Sequence, residues 1–135
     1  MEITISKVQA KSPITVMRLD GNLDSISADQ FDNKLAELIN EGTSDLVIDL
    51  SEVKFLSSAG IRSINESFYA LHPYDKQEFK EKISPGIRKG TYTAPHLKLV
   101  NPSKQVRKTL TMVGIDMYIE IFDTEKDAIN SFTAG

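Results

Sequence analysis

The chain has 135 residues, a formal charge of -3, 40% hydrophobic and 26% charged residues, and no cysteine. That length holds one domain with a single buried core, and the composition is that of an average folded soluble protein rather than a disordered one. Disulfides and thiolate metal sites are excluded, the acidic balance gives no electrostatic reason to expect nucleic acid, and no apolar run approaches the roughly 20 residues that cross a bilayer.

The N-terminus, MEITISKVQAK, lacks the long apolar core of a signal peptide, so the cytoplasm is the expected compartment. Residues 3–9 (ITISKVQ) and 14–20 (ITVMRLD) are rich in β-branched residues and alternate apolar positions at Ile3 and Ile5, then Ile14 and Val16. With Lys11, Ser12 and Pro13 between them, they predict a hairpin. Asp20 and Gly21 break the second strand, and SADQ at 27–30 has capping-box spacing, with Ser27 as N-cap and Gln30 reaching back. Phe31, Leu35, Leu38 and Ile39 then predict an amphipathic helix that Gly42 stops. The short apolar run LVIDL at 46–50 fits a central strand covered on both faces. Ile61, Ile64, Phe68 and Leu71 predict a second helix, ended by His72 and Pro73.

Between His72 and Pro95 lie three of the five prolines, two glycines and eight charged residues of both signs. This stretch predicts a mobile surface insertion, in which Phe79 and Ile83 support one helical turn or two. A strand (HLKLV, 96–100) follows, then a helix with Val106, Leu110 and Val113, and a strand (YIEIF, 118–122). TEKD at 124–127 caps a last helix carrying Ala128, Ile129 and Phe132. The order β-β-α-β-α-(insertion)-β-α-β-α predicts one α/β domain over 1–135, a mixed sheet largely parallel after the hairpin, with helices packed on it.

In such sheets sites gather where the carboxyl end of a strand meets the next helix. VKFLSSAGIRS, residues 53–63, lies at one of these junctions. There Ser57 and Ser58 can cap unpaired backbone N–H groups. Ala59 and Gly60 keep the turn slim, so that another backbone or another protein can come close. A phosphate at this place gains from the free N–H groups and the helix dipole. A plain helix start has the same composition, because serine is a common N-cap.

DLVIDLSEVKFLSSAGIRSI, residues 45–64, resembles the signature of the STAS domain, the fold of bacterial anti-sigma factor antagonists. The match runs through Asp49 and Leu50 in the strand, Phe55 and Leu56, then Ser57, Ser58, Ala59, Gly60 and Ile61. LDGNLD at 19–24 resembles the element before the family's first helix, and residues 96–129 are similar to its C-terminal half. The resemblance implies a partner-switching role without catalysis and without a cofactor. Unphosphorylated, such a domain binds an anti-sigma factor with serine kinase activity and frees its sigma factor; phosphorylation releases it, and a PP2C-type phosphatase restores it. Carried over, Ser58 is the phosphoacceptor, and Asp24, Ser57, Ala59, Gly60 and Arg62 meet the partner. Ser57 stands where many members have Asp, and the insertion at about 72–95 sits where their connection is short.

Two other classes compete. A STAS domain that does not switch would bind a small ligand or scaffold a signalling complex. A serine hydrolase would need a base, and neither His72 nor His96 stands in a triad context, nor is there a G-x-S-x-G elbow. Two histidines twenty-four positions apart make a thin metal site, and Asp20 and Asp24 flank a turn, which favours Asp on backbone grounds alone. One-domain length and the lack of heptads favour a monomer that forms complexes.

Overall fold

Alternation along the strands sends two sets of side chains to opposite faces of one sheet. The computed structural model describes residues 1–72 and 75–133. Five strands, β1 (Glu2–Gln9), β2 (Pro13–Asp20), β3 (Asp45–Glu52), β4 (Leu97–Val100) and β5 (Ile121–Phe122), lie side by side in chain order. β1 and β2 form the antiparallel hairpin, and β2, β3, β4 and β5 are parallel. All the carboxyl ends of the parallel strands therefore open on one pole of the domain.

Met17, Leu19, Leu46, Ile48, Leu50, Leu97 and Leu99 point to one face and are buried there. They meet Phe31, Leu35 and Leu38 of α1 (Ala28–Asn40), Ile64 and Phe68 of α2 (Ser58–Leu71), and Val106 and Leu110 of α5 (Lys104–Met112). The alternate residues Ile14, Val16, Val47 and Val100 face the other way and are covered by Ala128, Ile129 and Phe132 of α6 (Glu125–Thr133). β3 is thus covered on both sides, as its continuous apolar run requires. Lys98 shares the α6 face. It is buried, with its Nζ donating to the Ala94 carbonyl (3.0 Å), paired with Glu120 (2.8 Å) and 5.7 Å from the Phe132 ring centroid.

Four local expectations change. The capping box at Ser27 does not form: the Ser27 hydroxyl donates to the Asn22 carbonyl (2.7 Å), and Gln30 donates to the Met1 carbonyl (2.8 Å). The predicted strand 118–122 shrinks to two residues, because Tyr118 turns inward onto Phe68 and donates to Asn65 after a 3₁₀ turn at Ile115–Met117. Val113, which kept helical spacing, is half exposed just past the end of α5.

The fourth change is the largest. Residues 76–89 are helical throughout: α3 (Lys76–Glu78), a π-helical turn (Phe79–Ile83) and α4 (Ser84–Lys89). Asp75 caps the start by accepting from Glu78 N–H (2.7 Å), and Gly90 ends it in the left-handed conformation at φ 73°. Ile83 and Ala94 are buried, and Phe79, Ile87 and Tyr92 pack on the main core. The predicted loop is therefore a packed helical segment. Its apolar residues 79, 83 and 87 recur every four positions, and Pro85, which has no N–H to give, follows directly on the π-helical turn, where the regular α-helical hydrogen-bond ladder is already interrupted.

Candidate functional site

Past the ends of β2 and β3 the chain keeps pairing. Gly21 N–H donates to the Glu52 carbonyl (3.1 Å), Leu23 N–H to the Phe55 carbonyl (3.2 Å), and Ser57 N–H to the Leu23 carbonyl (3.0 Å). Leu23 and Leu56 form a parallel bridge, with both side chains buried. The loop before α1 and the loop before α2 are thereby fastened into one surface.

Each loop is closed by its own polar residues. The Asp24 carboxylate accepts from Ile26 N–H (3.0 Å) and Ser27 N–H (3.1 Å), while the Ser27 hydroxyl accepts from Asp24 N–H (3.0 Å). Hydrogen bonds, the Ser27 N–H first, hold the Asp24 carboxyl below the usual carboxylate range. Ser57 is the N-cap of α2: its hydroxyl accepts from Gly60 N–H (3.3 Å). Ser58 opens the helix, is exposed, and has no side-chain hydrogen bond to any described residue.

The two serines are therefore unequal. One hydroxyl is spent on the cap; the other points into solvent at a helix N-terminus, where backbone N–H groups of the first turn lack helical acceptors. Arg62, exposed and four residues further on, shares the face of Ser58. Ala59 is half-buried between them.

Gly60 is buried under the loop before α1. A Cβ there would lie 2.3 Å from the Leu23 carbonyl oxygen, inside any real contact. Of the two approaches its slimness allows, the structure uses that of the chain's own backbone. Two further residues of this pole were not singled out from the sequence: Leu23, whose carbonyl receives the Ser57 amide, and Ile26, which is 88% exposed between two serines. Phe55, matched only as a motif position, is 48% exposed beside them. A loop isoleucine without periodic neighbours is the one sequence signal that marks such a residue.

The histidines fall elsewhere. His72 follows the last residue of α2, and His96 precedes β4; their rings stack at 5.1 Å, and His96 Nδ1 lies 2.9 Å from Asp45 Oδ1. Because Ser58 starts the same 14-residue helix, about 20 Å of helix separates it from His72. Neither ring can serve a Ser58 nucleophile. Among the described residues no group of three or more His, Asp or Glu could hold a metal ion, and no helix is long and apolar enough to cross a membrane.

Comparison with known proteins agrees with this geometry. Residues 6–73 match the STAS domain, and the chain belongs to that family. It is 25% identical over 122 residues to the anti-sigma-F factor antagonist RsfB of Mycobacterium tuberculosis, an alignment spanning 90% of this chain and 84% of the relative. Among solved structures, an anti-sigma factor antagonist from Mycobacterium paratuberculosis superposes with a TM-score of 0.71 at 19% identity, covering 98% of this chain and 95% of the other. The Bacillus cell fate determinant SpoIIAA in its phosphorylated form gives a TM-score of 0.61 at 21% identity, covering 96% and 98%. These structural likenesses establish the mixed α/β fold.

Proposed function

We propose that this chain is an anti-sigma factor antagonist in a partner-switching cascade, with Ser58 as its phosphoacceptor. It acts by binding and catalyses nothing. Unphosphorylated, the pole docks on an anti-sigma factor that is also a serine kinase, and a sigma factor is freed. Phosphorylation of Ser58 ends the contact, and a PP2C-type phosphatase restores it.

The carrying observation is the exposed Ser58 hydroxyl, without a hydrogen bond among the described residues, at the start of a 14-residue helix whose N-cap is already supplied by Ser57. A phosphate there adds about -1.5 to -2 charge at neutral pH. The helix dipole, the first-turn amides and Arg62 all accommodate it, so the modification changes what docks without unfolding the domain. Asp24, Ser57, Ala59 and Arg62 face the partner beside Ile26 and Phe55, and Gly60 acts from beneath by seating Leu23. RsfB is an anti-sigma-F factor antagonist, and SpoIIAA has a phosphorylated form; both support the assignment.

The test is intact mass after incubation with ATP and candidate anti-sigma kinases. One phosphate per chain is expected, and none on Ser58→Ala; equal labelling of that variant would sink the assignment. Ser58→Asp is expected to keep the fold and weaken kinase binding in a calorimetric titration.

A second reading, binding of a small ligand without switching, has one observation in its favour. An open groove of about 460 Å³ between α1 and α2 is lined by Leu35, Ala36, Ile39, Glu66 and Ala70 among others. A ligand retained through purification and seen by native mass spectrometry would move the function to that groove.

A further inference from the structure

The segment 75–90 carries five basic and three acidic residues, whereas the rest of the chain carries eleven basic and sixteen acidic. Its bases are not spent locally. None of the ion pairs among the described residues involves Lys76, Lys80, Lys82, Arg88 or Lys89, and all five are exposed. Lys76, Lys80, Ser84 and Arg88 recur every four positions beside the apolar row of Phe79, Ile83 and Ile87, which packs on the core, and Arg88 donates to the Ser84 hydroxyl (3.1 Å). The apolar row packs the helix on the core, so the backbone that carries the basic row is held in one place.

A second observation lies at the same pole. Met112, Val113 and Met117 are 77%, 50% and 51% exposed, a cluster of large apolar side chains around the end of α5. α5 starts at the Ser58 pole and ends at the opposite one, where the insertion also lies because it follows the end of α2. The exit of the insertion is bonded to the residue after Met117: Ala94 N–H donates to the Tyr118 carbonyl (2.7 Å).

We infer that this far pole is a second docking surface, for a protein segment that is acidic on one side and apolar beside it. Charge complementarity selects the acidic side, since the stripe is the basic part of an acidic chain. The methionines select a protein over a nucleic acid: thioethers adapt to apolar partners and offer nothing to phosphates, and five bases mixed with three acids fall short of a phosphate-tracking array. With about 20 Å of α2 between the poles, both can be occupied together, which makes the domain a two-ended adaptor.

The probe is a fluorescein-labelled helical peptide with glutamates four apart on one side and leucines on the other, titrated with the whole chain at low salt. Anisotropy is expected to report binding that weakens about tenfold in the Lys76→Glu, Lys80→Glu, Arg88→Glu triple variant and about as much in Met112→Ser, Met117→Ser. All five side chains are exposed, so a thermal melt should match that of the parent. Undiminished binding by both variants overturns the inference, as does no binding by the parent or tighter binding to a DNA duplex than to the peptide. Ser58→Asp should leave peptide binding unchanged, and the triple variant should leave Ser58 phosphorylation unchanged. The far pole thus stands or falls separately from the switch.

Discussion

The two poles of α2 are built in different ways. At the Ser58 pole the fastening is backbone to backbone: a carbonyl of one loop takes an amide of the other, and a glycine gives way so that they can meet. At the far pole the fastening is side chain to core, with Ile83, Phe79 and Ile87 holding a helix in place. Backbone pairing leaves the side chains of a short loop free to face a partner, whereas apolar packing commits one face of a helix and frees only the rest. The first suits a site where one hydroxyl must be presented from a fixed backbone; the second suits a broad surface recognised by charge and shape.

Substitutions can break that contrast. Ile83→Ala is expected to cost about 3 kcal/mol, because a buried isoleucine is truncated to a cavity; urea unfolding measures it, and a near-zero change would mean that the insertion contributes nothing to the core. Gly60→Ala is expected to cost about 2 kcal/mol despite alanine's better helix propensity, because the new methyl meets a backbone oxygen that cannot rotate away. It should also lower the rate of Ser58 phosphorylation, whereas Ile83→Ala should not. The smallest effect belongs to Asp24. Its carboxyl is held below the ordinary range, so the stability it confers is fully present above its unfolded value of about 4 and is lost as pH falls through the lower folded one. Asp24→Asn keeps an acceptor but cannot titrate, so its denaturation midpoint should fall less steeply as the solution is acidified below the ordinary carboxylate range.

Much of the fold was legible because period and position agree. The hairpin, the twice-covered β3 and the starts of α2 and α6 follow from alternation, an apolar run and hydroxyl caps: Ser57 accepts from Gly60 N–H, and Thr124 from Asp127 N–H. The insertion was less legible. Pro85 and Gly86 read as breakers, yet Pro85 is carried within the helical run just past the π-helical turn, and Gly86 leaves room for Tyr92, whose Cβ would lie 2.8 Å from an added methyl. The capping box failed for a related reason. A local pattern names groups able to bond, but Asp24 reaches the amides of Ile26 and Ser27 first, and only the fold decides that competition. At the site, the serines were visible as a pair, while their inequality depends on which one stands at the N-cap.

Lys98 has a consequence beyond its ion pair. It lies on the sheet face that α6 covers, and α6 follows every strand in the chain. Until α6 docks, that face is bare, and a bare apolar sheet invites pairing with another chain. A lysine on β4 puts a charge in that exposed patch until Phe132 and Glu120 enclose it, a gatekeeper that turns into part of the lid's seat.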